Sequence, residues 1–200
     1  GISYAVTGNH IAKRTHLRAA LKTYRQIGDR MGEGRTLGAL GSNPGSEEDI
    51  DRCEQFIRQA LQIHRETGNR WEETWQLIFL SEICVDRGDY VRARMHGEKA
   101  RELGQQIEFT GLEQAASASL GYLNASLGNW EQAEAYYRIC QSQSVKDIYW
   151  CSVSLSSLGS LAHCLGNHTA ALKYCEQAVK VSHYSLGGQA QTQLCLGKAL

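Results

Sequence analysis

The sequence predicts an all-α fold in which antiparallel helix pairs stack side by side into a solenoid of about five repeats. Three observations carry this. The chain repeats itself at intervals near forty residues: RAALKTYRQIGDR (Arg18–Arg30) lies over RQALQIHRETGNR (Arg58–Arg70) without a gap. A glycine, a small polar residue, a ring, two spacers and alanine recur as GDYVRA, GNWEQA and GNHTAA, starting at Gly88, Gly128 and Gly166. The stretches between these marks place small and apolar residues at spacings of three and four, and none alternates with period two, so helices are expected and strands are not.

Each element follows from its marks. TGNH at Thr7–His10 matches LGNH at Leu165–His168, which predicts a first turn at Gly8. Position 48, where the next mark is due, holds Glu48. Seven residues before each turn mark stands a small residue: Gly1, Gly41, Ser81, Gly121 and Gly159, preceded by Leu40, Leu80, Leu120 and Leu158 in the last four. Twelve residues after the turn stand Ala20, Ala60, Ala100, Cys140 and Ala178. Ser117, Leu120, Gly121 and Asn124 share one helix face; Trp130, Ala133, Tyr137 and Cys140 share another. Each unit therefore reads as helix, glycine turn, helix. The glycine supplies a left-handed cap, the small residues let the helices approach, and the ring after the turn, Trp130 for one, is expected to plug the gap between units. The expected units are 1–30, 31–70, 71–110, 111–148 and 149–185, with 186–200 opening a sixth at Leu196–Gly197.

One segment breaks the beat. GSNPGSEEDID (Gly41–Asp51) contains Pro44, the chain's single proline, followed by Gly45. Proline removes a backbone donor and clashes with the preceding turn, so the helix is expected to stop near Ser42, with Ser46 and Asp49 offering a cap for the next one.

This pattern resembles the tetratricopeptide repeat, most closely in Leu120, Gly121, Gly128, Trp130, Ala133, Tyr137 and Cys140. The resemblance spans the chain and implies a right-handed superhelix. The period exceeds the usual length of about 34 residues. Longer helices and the linkers Gly28–Arg30 and Gly68–Arg70 account for the surplus. This longer variety is similar to the repeats of multidomain bacterial signalling ATPases, transcription activators and animal polarity adaptors, where they serve as sensor or docking modules.

Composition narrows the function. Lys+Arg and Asp+Glu both number 21, so the formal charge is zero. That balance argues against a phosphate-backbone partner, which needs clustered positive charge, and against an anionic membrane surface. No apolar run reaches the roughly 20 residues of a membrane span. The seven cysteines form no C-x-x-C pair, and Cys53, Cys84, Cys140 and Cys175 fall on core beats, so they read as small buried hydrophobes rather than metal ligands. Reduced thiols fit a cytoplasmic protein. His10 and His168 occupy the ring position after the turn and are expected to pack there. His163 and Cys164 are adjacent and so do not face one another on a helix. LGKAL at Leu196–Leu200 lacks the first glycine and the Ser/Thr of a phosphate loop. No catalytic motif and no cofactor site is expected; the reading is non-enzymatic.

The resemblance further implies that the first helix of each unit lines a concave face. Carried onto this chain, that lining includes Arg35; Trp75, Ile78, Glu82, Val85 and Asp86; Ala115, Ala118, Tyr122 and Ser126; and Ser156, Ser160 and His163. Small residues flanked by Trp75, Ile78 and Tyr122 suit a groove for a helix or extended peptide. Glu82 and Asp86 oppose the carboxylate terminus bound by chaperone-docking members of the family. The expected role is a protein-interaction scaffold contacting a protein or peptide, and adjoining domains of a longer chain. The alternatives are a small-molecule or peptide-signal receptor using the same groove and, more weakly, a self-assembly module.

Overall fold

The computed structural model describes residues 2–42, 50–142 and 148–182, with side chains described for 12–42, 50–140 and 151–181. The described residues are helical apart from their turns and form no strand: α1 (Ile2–Ile27), α2 (Arg30–Gly41), α3 (Ile50–Glu66), α4 (Arg70–Asp86), α5 (Tyr90–Gln106), α6 (Thr110–Ser126), α7 (Trp130–Ser142), α8 (Ile148–Cys164) and α9 (His168–Ser182). The Ser46–Asp49 cap and the opening at Leu196–Gly197 lie outside the described residues.

The turns are one device used repeatedly. Gly28, Gly68, Gly88, Gly128 and Gly166 all have φ between +68° and +75°. Each is followed by Asp or Asn, whose amide reaches back five residues: Asp29 to the Tyr24 carbonyl at 3.0 Å, Asn69 to His64 at 2.8 Å, Asp89 to Cys84 at 2.8 Å, Asn129 to Asn124 at 2.9 Å and Asn167 to Ala162 at 2.9 Å. This closes the preceding helix. The same Asp or Asn then caps the next one: Asp29, Asn69, Asp89 and Asn167 accept the amides of Gly32, Glu72, Arg92 and Ala170. Two residues thus finish one helix and start the next, which is why the turns are so short.

The α5–α6 turn lacks both devices. Glu108 stands in the left-handed region at φ 53°, Phe109 offers no side-chain cap, and its amide bond back to Gly104 is stretched to 3.3 Å. Glu108→Gly is expected to stabilise the protein by about 1 kcal/mol, and Phe109→Asp by about 1 kcal/mol more. Urea titration followed by helical circular dichroism reads both; an unchanged midpoint for Glu108→Gly contradicts the strain at this position.

Gly8, expected to make the first turn, instead lies within the continuous helix α1. The stop near Ser42 does occur: Ser42 caps α2, its amide bonding the Gly38 carbonyl at 2.9 Å.

Helix pairing fills a core in successive compartments, and the repeated leucine occupies an equivalent place in each. Leu40 packs with Leu21, Leu37, Ala60 and Ile63. Leu80 packs with Ile57, Leu77, Ala100 and Leu103. Leu120 joins Cys84, Ala93 and Leu123, and Leu158 joins Ala133, Tyr137 and Leu161. The small residue after each leucine admits the partner helix: a Cβ on Gly121 would press into the Tyr137 ring at 2.6 Å, and Ser81, in the same register, donates its hydroxyl to the Ala93 carbonyl at 2.8 Å. Trp130 does not plug its gap; it remains 38% exposed because it sits at the very start of α7, at the rim.

A second periodic feature ties the pairs together. Buried Glu33 receives Arg25 at 2.8 Å and Arg30 at 2.6 Å. Forty residues on, buried Glu73 receives Arg65 and Arg70, each at 2.9 Å. In the next unit Gln105 donates to Glu113 at 2.8 Å. Each carboxylate stands in the first turn of a helix and binds a side chain from the helix before.

The layering sets the curvature. Helix α4 packs on α6 and α6 on α8, whereas α3, α5 and α7 make no comparable contact with one another. The more closely spaced layer is the inside of the bend, so α4, α6 and α8 present the inner face.

Candidate functional site: the inner helical face

Helix α4 carries most of the large side chains on the inner face. Trp71, Trp75, Phe79, Glu82 and Asp86 recur at spacings of three and four, which brings them onto one stripe. The Trp71 and Trp75 rings meet edge to face at 5.9 Å, and Trp75 and Phe79 stack at 6.0 Å. Trp71 is 43% exposed, and Trp75, Phe79 and Glu82 are half-buried. At the stripe's far end the Tyr122 hydroxyl of α6 donates to Asp86 at 2.8 Å, joining two inner helices. Tyr122 is itself 41% exposed.

Of the residues read from the sequence, Trp75, Glu82, Asp86 and Tyr122 converge here. Ile78 does not line the face: it is buried against Ala115 and Ala116 of α6, together with the leucines of its cluster. Val85, Ala115, Ala118 and Ser156 are buried likewise. The close contact between inner helices covers that flank, and the open stripe is turned by part of a residue step toward Phe79. Phe79 and Trp71 are the two lining residues that the family spacing omits; their i, i+4 relation to Trp75 was the available signal. Arg35 is exposed on α2 and pairs with Glu72 of α4 at 3.2 Å. Ser126 is exposed, its hydroxyl donating to the Tyr122 carbonyl at 3.0 Å. Ser160 and His163 are half-buried on α8, away from the aromatic stripe; His163 meets His168 ring to ring at 5.2 Å, and His168 is exposed rather than packed.

The face has unusual electrostatics. Glu82 makes no hydrogen bond or ion pair among the described residues, although Glu33, Glu54, Glu66 and Glu73 are all met by arginine. Burial, and then the nearby Asp86 carboxylate, push Glu82 up to about 7. Burial, and then the bond to Asp86, push the Tyr122 hydroxyl up to about 12. Glu82 titrates higher in the folded chain than in the unfolded one, so folding favours its protonated form. The stability it contributes is fully present below the unfolded carboxylate range and is lost as pH rises through about 7. Glu82→Gln, which mimics the protonated form, is expected to stabilise the chain by about 1–3 kcal/mol at about pH 8 and to leave it nearly unchanged at about pH 4. Melting temperatures at the two pH values check this; equal shifts at both contradict it. Glu33 and Glu66 are held low, so their contribution has the opposite sign and is lost as pH falls.

Three of the thiols behave as core atoms, whereas Cys151 is half-buried and Cys164 exposed. Cys53, Cys84 and Cys140 are free and buried, and burial pushes Cys140 up to about 12. Cys175, buried as expected, departs from the all-thiol reading: it is disulfide-bonded. No group of three His, Cys, Asp or Glu side chains among the described residues is placed to hold a metal ion. No described helix is long and apolar enough to cross a membrane.

Inner and outer helical layers and a periodic core define the class: a helical-repeat solenoid. Residues 152–187 match the tetratricopeptide repeat family. Solved structures agree on the fold. A Rap protein complexed with competence and sporulation factor superposes over 100% of this chain and 55% of its own, at 17% identity and a TM-score of 0.81. The apo form of RapI covers 95% of this chain and 54% of its own, at 15% identity and 0.65. BtubC from P. vanneervenii covers 92% and 85%, at 15% and 0.56. The chain thus spans about half the length of the two Rap structures. No curated protein matches it by sequence. Folds of this kind are protein-interaction folds, their binding surfaces created by the curvature of the stack.

Proposed function

We propose that this chain is a non-catalytic docking module that holds a peptide or helix of a partner protein on its inner face, within a larger regulatory or signalling protein of the cytoplasm. The observation that carries the reading is the stripe of Trp71, Trp75, Phe79 and Tyr122, which leaves large rings partly exposed together along α4 and α6. Binding energy concentrates in such aromatic anchors. The whole chain acts as one array, divided near residues 30, 70, 110, 148 and 185; the turns at Gly28, Gly68 and Glu108 support the first three divisions.

Trp75→Ala combined with Tyr122→Ala tests the reading. The pair is expected to abolish capture of the partner while leaving helical circular dichroism intact. Loss of helicity instead makes these rings part of the core.

One observation favours a second reading, a receptor for a small molecule or signal peptide on the same face. The Rap protein that superposes on the whole chain was solved with competence and sporulation factor bound. Ligand-linked stabilisation distinguishes the two readings: a receptor melts higher when its small ligand is added.

A further inference from the structure

We propose that the inner face selects a partner segment presenting an arginine or lysine, which sets its charge against Glu82 and Asp86 and lays its stem along the Trp75 and Phe79 rings. This rests on the reading of the inner face as the docking surface and names the chemistry of its occupant.

Charge complementarity carries the argument. The formal charge of the chain is zero, and most glutamates set into its helix packing are met by arginine: Glu54 by Arg58 and Arg87, Glu72 by Arg35, Glu73 by Arg65 and Arg70. Arg87, the cation adjacent to Asp86 in sequence, is engaged with Asp51 and Glu54 of α3. Glu82 therefore faces the groove with no cation among the described residues, and Asp86 has the neutral Tyr122 hydroxyl. A carboxyl removed from water without a counter-charge is costly to hold ionised. A ligand cation removes that cost.

The rings provide the second half of the site. Trp75 stands seven residues before Glu82 and Phe79 three before it, so both lie above it on the same helix face. Stacked rings offer their electron-rich faces to a guanidinium or ammonium, and tryptophan is the strongest of these partners. An extended segment crossing α4 meets rings first and carboxylates next, the order in which a long basic side chain presents its apolar stem and charged head.

A consequence is coupling to pH. The titratable groups in electrostatic contact at this site are Asp86 on α4, Tyr122 on α6 and Tyr90 on α5. Cation binding favours the ionised form of Glu82, so affinity falls as pH drops through about 7.

The test is selection of random phage-displayed nonapeptides on the immobilised 200-residue chain at about pH 8, followed by affinity measurements on the resynthesised peptides. The expected winners share a basic residue. Replacing it by citrulline or norleucine, or binding to E82Q/D86N, costs at least about tenfold in affinity, and the parent chain loses affinity at about pH 6 while E82Q does not. Winners without a basic residue, or unchanged affinity for E82Q/D86N, overturn the proposal. If Trp75→Ala weakens those same peptides while E82Q/D86N does not, the docking face stands and the cation site falls. If neither variant weakens them, or no peptide is enriched, both readings fall.

Discussion

Replacing Leu120 with alanine is expected to destabilise the protein by about 3–5 kcal/mol. Leu120 is 1% exposed and sits where three helices meet, packed with Cys84 and Val85 of α4, Ala93 of α5 and Leu123 of its own helix. Its methyl groups occupy the hollow left by Gly97, where a Cβ would stand 2.8 Å from Leu120 Cδ2. Backbones on both sides fix that hollow, so it cannot collapse to fill the space. In an array stabilised by nearest-neighbour contacts the damage spreads outward from α6. Residue-resolved hydrogen exchange should therefore show α4, α5 and α7 losing protection before α2. Trp130 makes the contrast: Trp130→Ala is expected to cost less, about 1–2 kcal/mol, because over a third of that residue's surface is already in water.

The second large effect is overpacking. Gly41→Val is expected to cost about 3 kcal/mol. A Cβ at this position overlaps Ile57 Cγ1 and stands 2.9 Å from the Cys53 carbonyl oxygen and 3.1 Å from the Ile57 amide nitrogen. Two of those contacts are backbone, so relief requires α2 and α3 to move apart, which empties the compartment around Leu40. Valine also forgoes most of the helix-propensity gain that alanine brings over glycine. Thermal or urea unfolding measures the loss. A stability equal to the parent's means that α2 and α3 do not pack this closely.

These two residues show why the fold was legible. Leu120 and Gly41 stand on beats that the chain repeats near forty residues, and each beat has one physical job: a side chain for the compartment, or room for the neighbour. Gly88, Gly128 and Gly166 were legible for the same reason, since a left-handed cap is nearly a glycine monopoly. Glu108 was not, because a strained non-glycine turn leaves no compositional mark; only the count of residues from Gly68 and Gly128 points to it. Gly8 misled because it carries the same three letters as the turn at Gly166 yet stands inside the continuous helix α1.

The site was legible in part, and the missing part has a geometric cause. Spacing rules put Trp75, Ile78, Glu82 and Asp86 on one open face of α4, whereas Ile78 is buried and Phe79 stands beside Trp75 in its stead. Ile78 and Phe79 are consecutive apolar residues, about 100° apart on the helix. Which of the two is covered depends on how closely α6 approaches α4, and that distance is set by Ala115 and Ala116, whose significance appears only once the helices are packed. Glu82 and Asp86 were visible as acidic residues; their lack of a counter-ion depended on Arg87 turning toward α3.

The most direct test of the inner face as the docking surface is hydroxyl-radical footprinting of the chain with and without a saturating peptide selected on it. Reduced oxidation of Trp71, Trp75, Phe79 and Tyr122, with Val91 and Met95 on outer helix α5 unchanged, is the expected result. Protection of Val91 and Met95, which border an outer cavity of about 610 Å³ with Arg65 and Arg94, while the α4 rings react as before, contradicts it.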